Sequence, residues 1–122
     1  MPQYPMAVGA SWAKKFWGVE VVDPTPEVPV NFDPPVVMLE TGGTGVPGDA
    51  VESTVGNWHN VPDTYAYRWQ RNGTNIAGAL GAANPYILAA ADISGSVLTC
   101  NVTATNVTGS AMASSANNYT VP

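Results

Sequence analysis

Three kinds of side chain in this sequence could carry chemistry: one thiol, one imidazole and a scatter of carboxylates. Cys100 is the only cysteine and His59 the only histidine. A thiol nucleophile needs a base beside it and access to a substrate. Cys100 stands in VLTCNVTATNVTG, Val97 to Gly109, sharing its parity with Leu98, Val102 and Ala104, while Thr99, Asn101, Thr103 and Thr105 take the other. Alternation of period two marks a strand with one buried face, so Cys100 is expected in the core as a structural thiol. A single histidine excludes His-rich metal centres and a paired imidazole relay. Asp49 with Glu52, and Asp63 near His59, are pairs of the kind surface loops produce. No Asp-x-Asp-x-Asp run offers the oxygen cluster that calcium takes. The stretch GTGVPG lacks the Lys-Ser/Thr pair of a phosphate loop and reads as a turn. An enzyme, a metal centre and a bound cofactor are therefore not expected.

The elements that position these residues follow from composition and punctuation. The chain has 122 residues, enough for one modest core and some extra. Only 11% of residues are charged, and Thr, Asn, Ser, Ala and Gly take their place, as suits an all-β domain with many turns. The net charge of -5 argues against nucleic acid as a partner, because phosphate binding needs a basic face. No apolar run approaches the roughly 20 residues of a membrane span. The start, MPQYPMAVGA, has no basic region of the secretory type, and a lone cysteine fits folding in a reducing compartment. Asn-x-Thr sequons at Asn72, Asn101, Asn106 and Asn118 are then expected to reflect strand and turn composition rather than glycosylation.

Two regions are expected, residues 1–35 and 36–122. The first holds Tyr4, Trp12, Phe16 and Trp17, with ASWAKKFWGVEVV as a short helix followed by an extended run. It ends in DPTPEVPVNFDPP, where five prolines in thirteen residues favour a semi-rigid extended spacer. The second is a series of short strands and turns. VVMLE is a first strand, AVESTV alternates with Val51, Ser53 and Val55 on one parity, and TYAYRWQR puts Tyr65, Tyr67 and Trp69 on one face. Asn72-Gly73 is a tight-turn signal. The PYILAA segment, the VLTCNVTATN run and SAMASSANNYTVP supply the remaining strands.

Taken in order, these pieces resemble a bacterial or phage immunoglobulin-like domain. The matching runs are Val51-x-Ser-x-x-Gly-x-Trp58, Tyr65-x-Tyr-x-Trp-x-Arg-Asn-Gly73, Ile76-x-Gly-Ala79, Pro85-Tyr-Ile-Leu88, the approach to Asp92, and Leu98-x-Cys-x-Val-x-Ala-x-Asn-x-x-Gly109. The resemblance implies a β-sandwich of about seven strands with Trp69 as the core tryptophan and Cys100 packed against it. Ser53 then occupies the place of the second-strand cysteine, so the inter-sheet disulfide is absent, and Leu98 replaces the tyrosine of a tyrosine corner.

Domains of this kind are appended to tailed-phage virion proteins. The resemblance implies a non-enzymatic virion protein, assembled in the host cytoplasm, that decorates the capsid. Its aromatic arm (Tyr4, Trp12, Phe16, Trp17) would dock on the major capsid protein or another virion protein, since buried aromatics are the usual energetic centre of an interface. A lattice position would also suit a homo-oligomer. A tail or neck location is one alternative. Another is a surface adhesin or carbohydrate-binding module, with Trp58, His59 and Tyr65 meeting host-surface glycans.

Overall fold

A computed structural model describes residues 26–122, together with the backbone of two upstream strands, β1 (Ala13–Phe16) and β2 (Val19–Val22). Tyr4, Trp12 and Trp17, and the side chain of Phe16, lie outside the described residues. The two strands pair antiparallel from Ala13↔Val22 to Phe16↔Val19 and form a sheet of their own. This corrects the expected helix. Val19, Val21 and Val22 are β-branched and disfavour a helix, and they supply the AKKF run with a matching strand.

Downstream come β3 (Val30–Asp33), β4 (Val37–Leu39), β5 (Ala50–Ser53), β6 (Asn57–His59), β7 (Thr64–Arg71) and β8 (Thr74–Asn75). A five-residue helix, α1 (Gly78–Ala82), precedes β9 (Tyr86–Ile87), and β10 (Val97–Asn106), β11 (Gly109–Ser114) and β12 (Tyr119–Thr120) complete the chain. All pairings are antiparallel. One sheet has the order β4-β5-β9, another β11-β10-β7-β8 with β12 also on β10, and β3 pairs with β6. The domain is all-β. Ten short strands replace the expected seven because Ser115 to Asn118 interrupt the last one and β3–β6 forms an extra ladder.

That extra ladder runs through the proline-rich stretch. Val30 pairs with His59 and Asn31 with Trp58, so the domain's pairing reaches back past residue 35. Proline lacks a donor and is tolerated where a strand begins or has ended. Accordingly Pro29 and Pro35, both fully buried, flank β3 rather than interrupt it.

Side chains of the two larger sheets meet in one core. Val37, Val51, Tyr86 and Leu88 come from one side and Trp69, Leu98, Cys100 and Val102 from the other, joined by Ile76 and Val121. Burying each large apolar side chain contributes about 1.5–3 kcal/mol. The Trp69 indole, fully buried, donates through Nε1 to the carbonyl of Ala83 after α1 (2.7 Å) and packs against the Tyr86 ring at 5.5 Å.

Asparagine amides complete the edges. Asn117 accepts from the Val37 N–H and donates to the Val37 carbonyl, both at 2.9 Å. Asn84 does the same for Ser53, at 3.0 and 2.9 Å. An amide offers the same donor and acceptor as a peptide group, so one side chain stands in for a strand where none is present. This gives the Asn-rich composition a structural use.

Candidate functional site

Cys100 lies opposite Trp69 in the β10–β7 ladder and is fully buried. Burial pushes its thiol pKa up, against a smaller opposing pull from Ser53 and the Arg68 backbone. A thiol held neutral in this way is a poor nucleophile. Ser53 is 6% exposed and satisfies its hydroxyl on the Thr54 carbonyl at 2.9 Å. Leu98, also fully buried, faces Arg71 across the ladder. Trp69, Cys100, Leu98 and Ser53 are thus all buried in the interior of the domain.

The three glycan candidates do not form one face. Trp58 and His59 are consecutive in β6, so their side chains leave on opposite sides. Trp58 packs against the core and donates from Nε1 to the Val55 carbonyl at 2.7 Å. His59 is exposed and stacks on Phe32, with ring centroids 4.3 Å apart. Tyr65, exposed, pairs with Ala104 on the other sheet.

Charge separates the two ends of the domain. β10 runs from Val97, beside β12 and the end of β7, to Asn106, beside Gly109 at the start of β11. At the Val97 end, Arg71 Nε donates to Asp92 Oδ1 at 2.6 Å, and the Tyr86 hydroxyl donates to Oδ2 at 2.5 Å. The Ala89 N–H adds a bond at 2.7 Å, and Arg71 also reaches the Tyr86 oxygen at 3.1 Å. Burial works to raise the Asp92 pKa, but Arg71, the Ala89 N–H and Tyr86 together hold it below the ordinary carboxylate value. Tyr86 is pushed up to about 12, by burial first and then by its bond to Asp92. Nearby, Asp49 collects the N–H groups of Thr44, Gly45 and Val46 at 2.8–3.2 Å, and those bonds, led by Thr44 and Val46, lower its pKa.

At the Asn106 end no cation takes part among the described residues. Asn106 Nδ2 donates to the carbonyls of Glu27 and Asn60 at 2.8 Å, while its Oδ1 accepts from Thr108 and Gly109. Asn60, at φ 63, donates to the Val28 carbonyl at 2.9 Å. The left-handed conformation suits asparagine better than most residues. These bonds shape an open cleft of about 390 Å³ walled by Pro26, Glu27, Asn60, Asp63 and Thr108, with Val61 and Val107 on its rim. The sequence pattern did not single out this end, because its amides bond to backbone carbonyls far away in the chain. The only local signal is asparagine at turn positions.

Three sequon positions have their side-chain amides in use: Asn106, in this network, Asn101, 9% exposed, which accepts from the Ser114 hydroxyl at 2.8 Å, and Asn72, which accepts from the Val97 N–H at 2.9 Å. No group of three His, Cys, Asp or Glu side chains suited to a metal occurs among the described residues. No described helix is long and apolar enough to cross a membrane. No family model, curated protein or solved structure matches the chain.

Proposed function

We propose that the chain is a non-enzymatic structural protein of a virion, most simply a capsid decoration protein. In this reading residues 26–122 form an immunoglobulin-like sandwich that projects from the particle, and the upstream segment is its anchor. The observation that carries the proposal is the separate β1–β2 ladder. Ala13–Phe16 and Val19–Val22, in the stretch of sequence that holds Trp12, Phe16 and Trp17, pair with each other and, among the described residues, add no strand to the domain's sheets. An aromatic hairpin joined through a proline-containing stretch suits insertion into a partner's surface. The domain supports the reading through a core held without a disulfide, with Cys100 free and buried. The adhesin alternative draws less support, since Trp58 turns inward while His59 turns out.

The test is co-expression with the shell protein of the same particle, followed by sedimentation of assembled shells. The full chain should co-sediment, and Trp12→Ala with Trp17→Ala should lose at least tenfold in occupancy at unchanged circular dichroism. Full occupancy by the doubly substituted chain would remove the anchor. A truncation should begin at Pro26, because Val30, Asn31 and Asp33 pair with β6.

A further inference from the structure

Asn72-Gly73 is the only Asn-Gly pair in the chain, and every other asparagine precedes a residue with a side chain, mostly β-branched or aromatic. The difference is chemical. The backbone nitrogen of the following residue is the nucleophile that can attack an asparagine side-chain carbonyl, and only glycine leaves it unshielded by a Cβ. Asn72 is exposed, and a Cβ built at Gly73 would meet nothing within 4 Å. Water and base therefore reach this peptide group.

The fold opposes the attack. β7 and β8 meet at Arg71↔Thr74, so Asn72 and Gly73 are the whole turn, with φ 52 and 82. Asn72 is also tied twice to Val97, at the start of β10. Its N–H donates to the Val97 carbonyl at 2.8 Å, and its Oδ1 accepts from the Val97 N–H at 2.9 Å. Ring closure has to turn Cγ toward the Gly73 nitrogen, and the bond to the Val97 N–H holds the side chain against that turn.

We propose that Asn72 is a site of spontaneous deamidation that the folded domain holds closed and that opening of this hairpin releases. Once the side chain leaves Val97, the Gly73 nitrogen bonds to Asn72 Cγ and the Cγ–Nδ2 bond breaks. Nδ2 leaves as ammonia, taking the proton of the peptide nitrogen. Water then opens the five-membered imide at either carbonyl, giving aspartate or isoaspartate. The two products differ for the fold. Aspartate keeps an oxygen for the Val97 N–H and adds one negative charge. Isoaspartate carries the main chain through Cβ, so the two-residue turn no longer fits between β7 and β8. Loss of ammonia makes the change irreversible, and the site records past opening of this end of the domain. The inference goes beyond the virion reading and does not rest on it.

Peptide mapping by mass spectrometry of the full chain, incubated at mildly alkaline pH, tests this. In urea, with the chain unfolded, conversion should be fastest at Asn72. In the folded chain the same site should convert at least about tenfold more slowly, as expected when reaction waits on a local opening. Val97→Pro removes the N–H that holds Oδ1 but keeps the carbonyl, and proline is tolerated as the first residue of a strand. At unchanged circular dichroism, this variant should convert Asn72 faster than the parent chain. Equal rates in the folded and unfolded chain would overturn the proposal. So would faster conversion at another asparagine in urea, or a folded Val97→Pro chain no faster than its parent. If Val97→Pro fails to fold, the comparison of the parent with and without urea decides by itself.

Discussion

The two ends of this domain put their carboxylates to different uses. At the Val97 end, Asp92 is drawn inside and paired, its side chain fully buried against Arg71, which keeps 25% exposure. At the Asn106 end, Glu27 and Asp63 stay at the wall of an open cleft, and the loops are held by neutral amides. The difference shows how a chain with few charges divides them. An ion pair consumed as structure leaves no charge for a partner. Amides bonding to backbone carbonyls hold the loops of the Asn106 end without a buried charge.

The largest effect is expected from breaking the paired end. Asp92→Ala leaves the Arg71 guanidinium and the Tyr86 hydroxyl without their acceptor. Removing one member of a buried pair costs about 3–5 kcal/mol, and the partial exposure of Arg71 places this case near the lower figure, as urea unfolding would measure. Asp92 also sets part of the pH profile. Its folded pKa lies below 3.8, so its stabilisation is present above the unfolded value and is lost as pH falls through the lowered one. Tyr86 acts at the other limit. With its pKa raised from 10.0 to about 12, its contribution is full below pH 10 and lost as pH climbs toward 12. Asp92→Asn should flatten the acid limb without abolishing it, because Asp49 titrates in the same direction. An unchanged acid limb would mean that the pair adds nothing to stability.

A smaller effect is expected at the amide-held end. Asn106→Ala removes four hydrogen bonds made by one side chain. At about 0.5–1.5 kcal/mol each, and with water able to replace some, the net cost is about 2 kcal/mol. The loss should be local: amide exchange should quicken at Asn60, Thr108 and Gly109 while Trp69 and Leu98 stay protected. Equal quickening throughout would show that the two ends do not respond independently.

Legibility followed the range of the interactions. Strict alternation placed Cys100, Leu98 and Trp69 on buried faces, because a period of two is visible within a few residues. The short β3 strand was hidden by its flanking prolines, which are permitted at strand ends as well as in spacers. The hairpin of β1 and β2 was hidden because four-residue strands leave too short a pattern to exclude a helix. The Arg71–Tyr86–Asp92 cluster joins residues 6 to 21 positions apart, and nothing in their local context announces it. The asparagine bridges share this property, since Asn117 serves Val37 from 80 residues away.

The smallest effect carries the opposite sign and sits at the paired end. Ser96 is 2% exposed, and its hydroxyl has no hydrogen-bond partner in a region where the backbone is fully engaged. Its N–H donates to the Ile93 carbonyl and its own carbonyl accepts from Val121, so both peptide groups are satisfied without the side chain. Burying an unpaired hydroxyl costs about 1–3 kcal/mol, whereas deleting one oxygen leaves only a small void. Ser96→Ala should therefore stabilise the domain by about 1 kcal/mol and raise the melting temperature by roughly 4–8 °C. A lower melting temperature would show that the hydroxyl is satisfied after all. The paired end would then be saturated throughout, and its contrast with the open, amide-held end would be sharper than the geometry alone makes it.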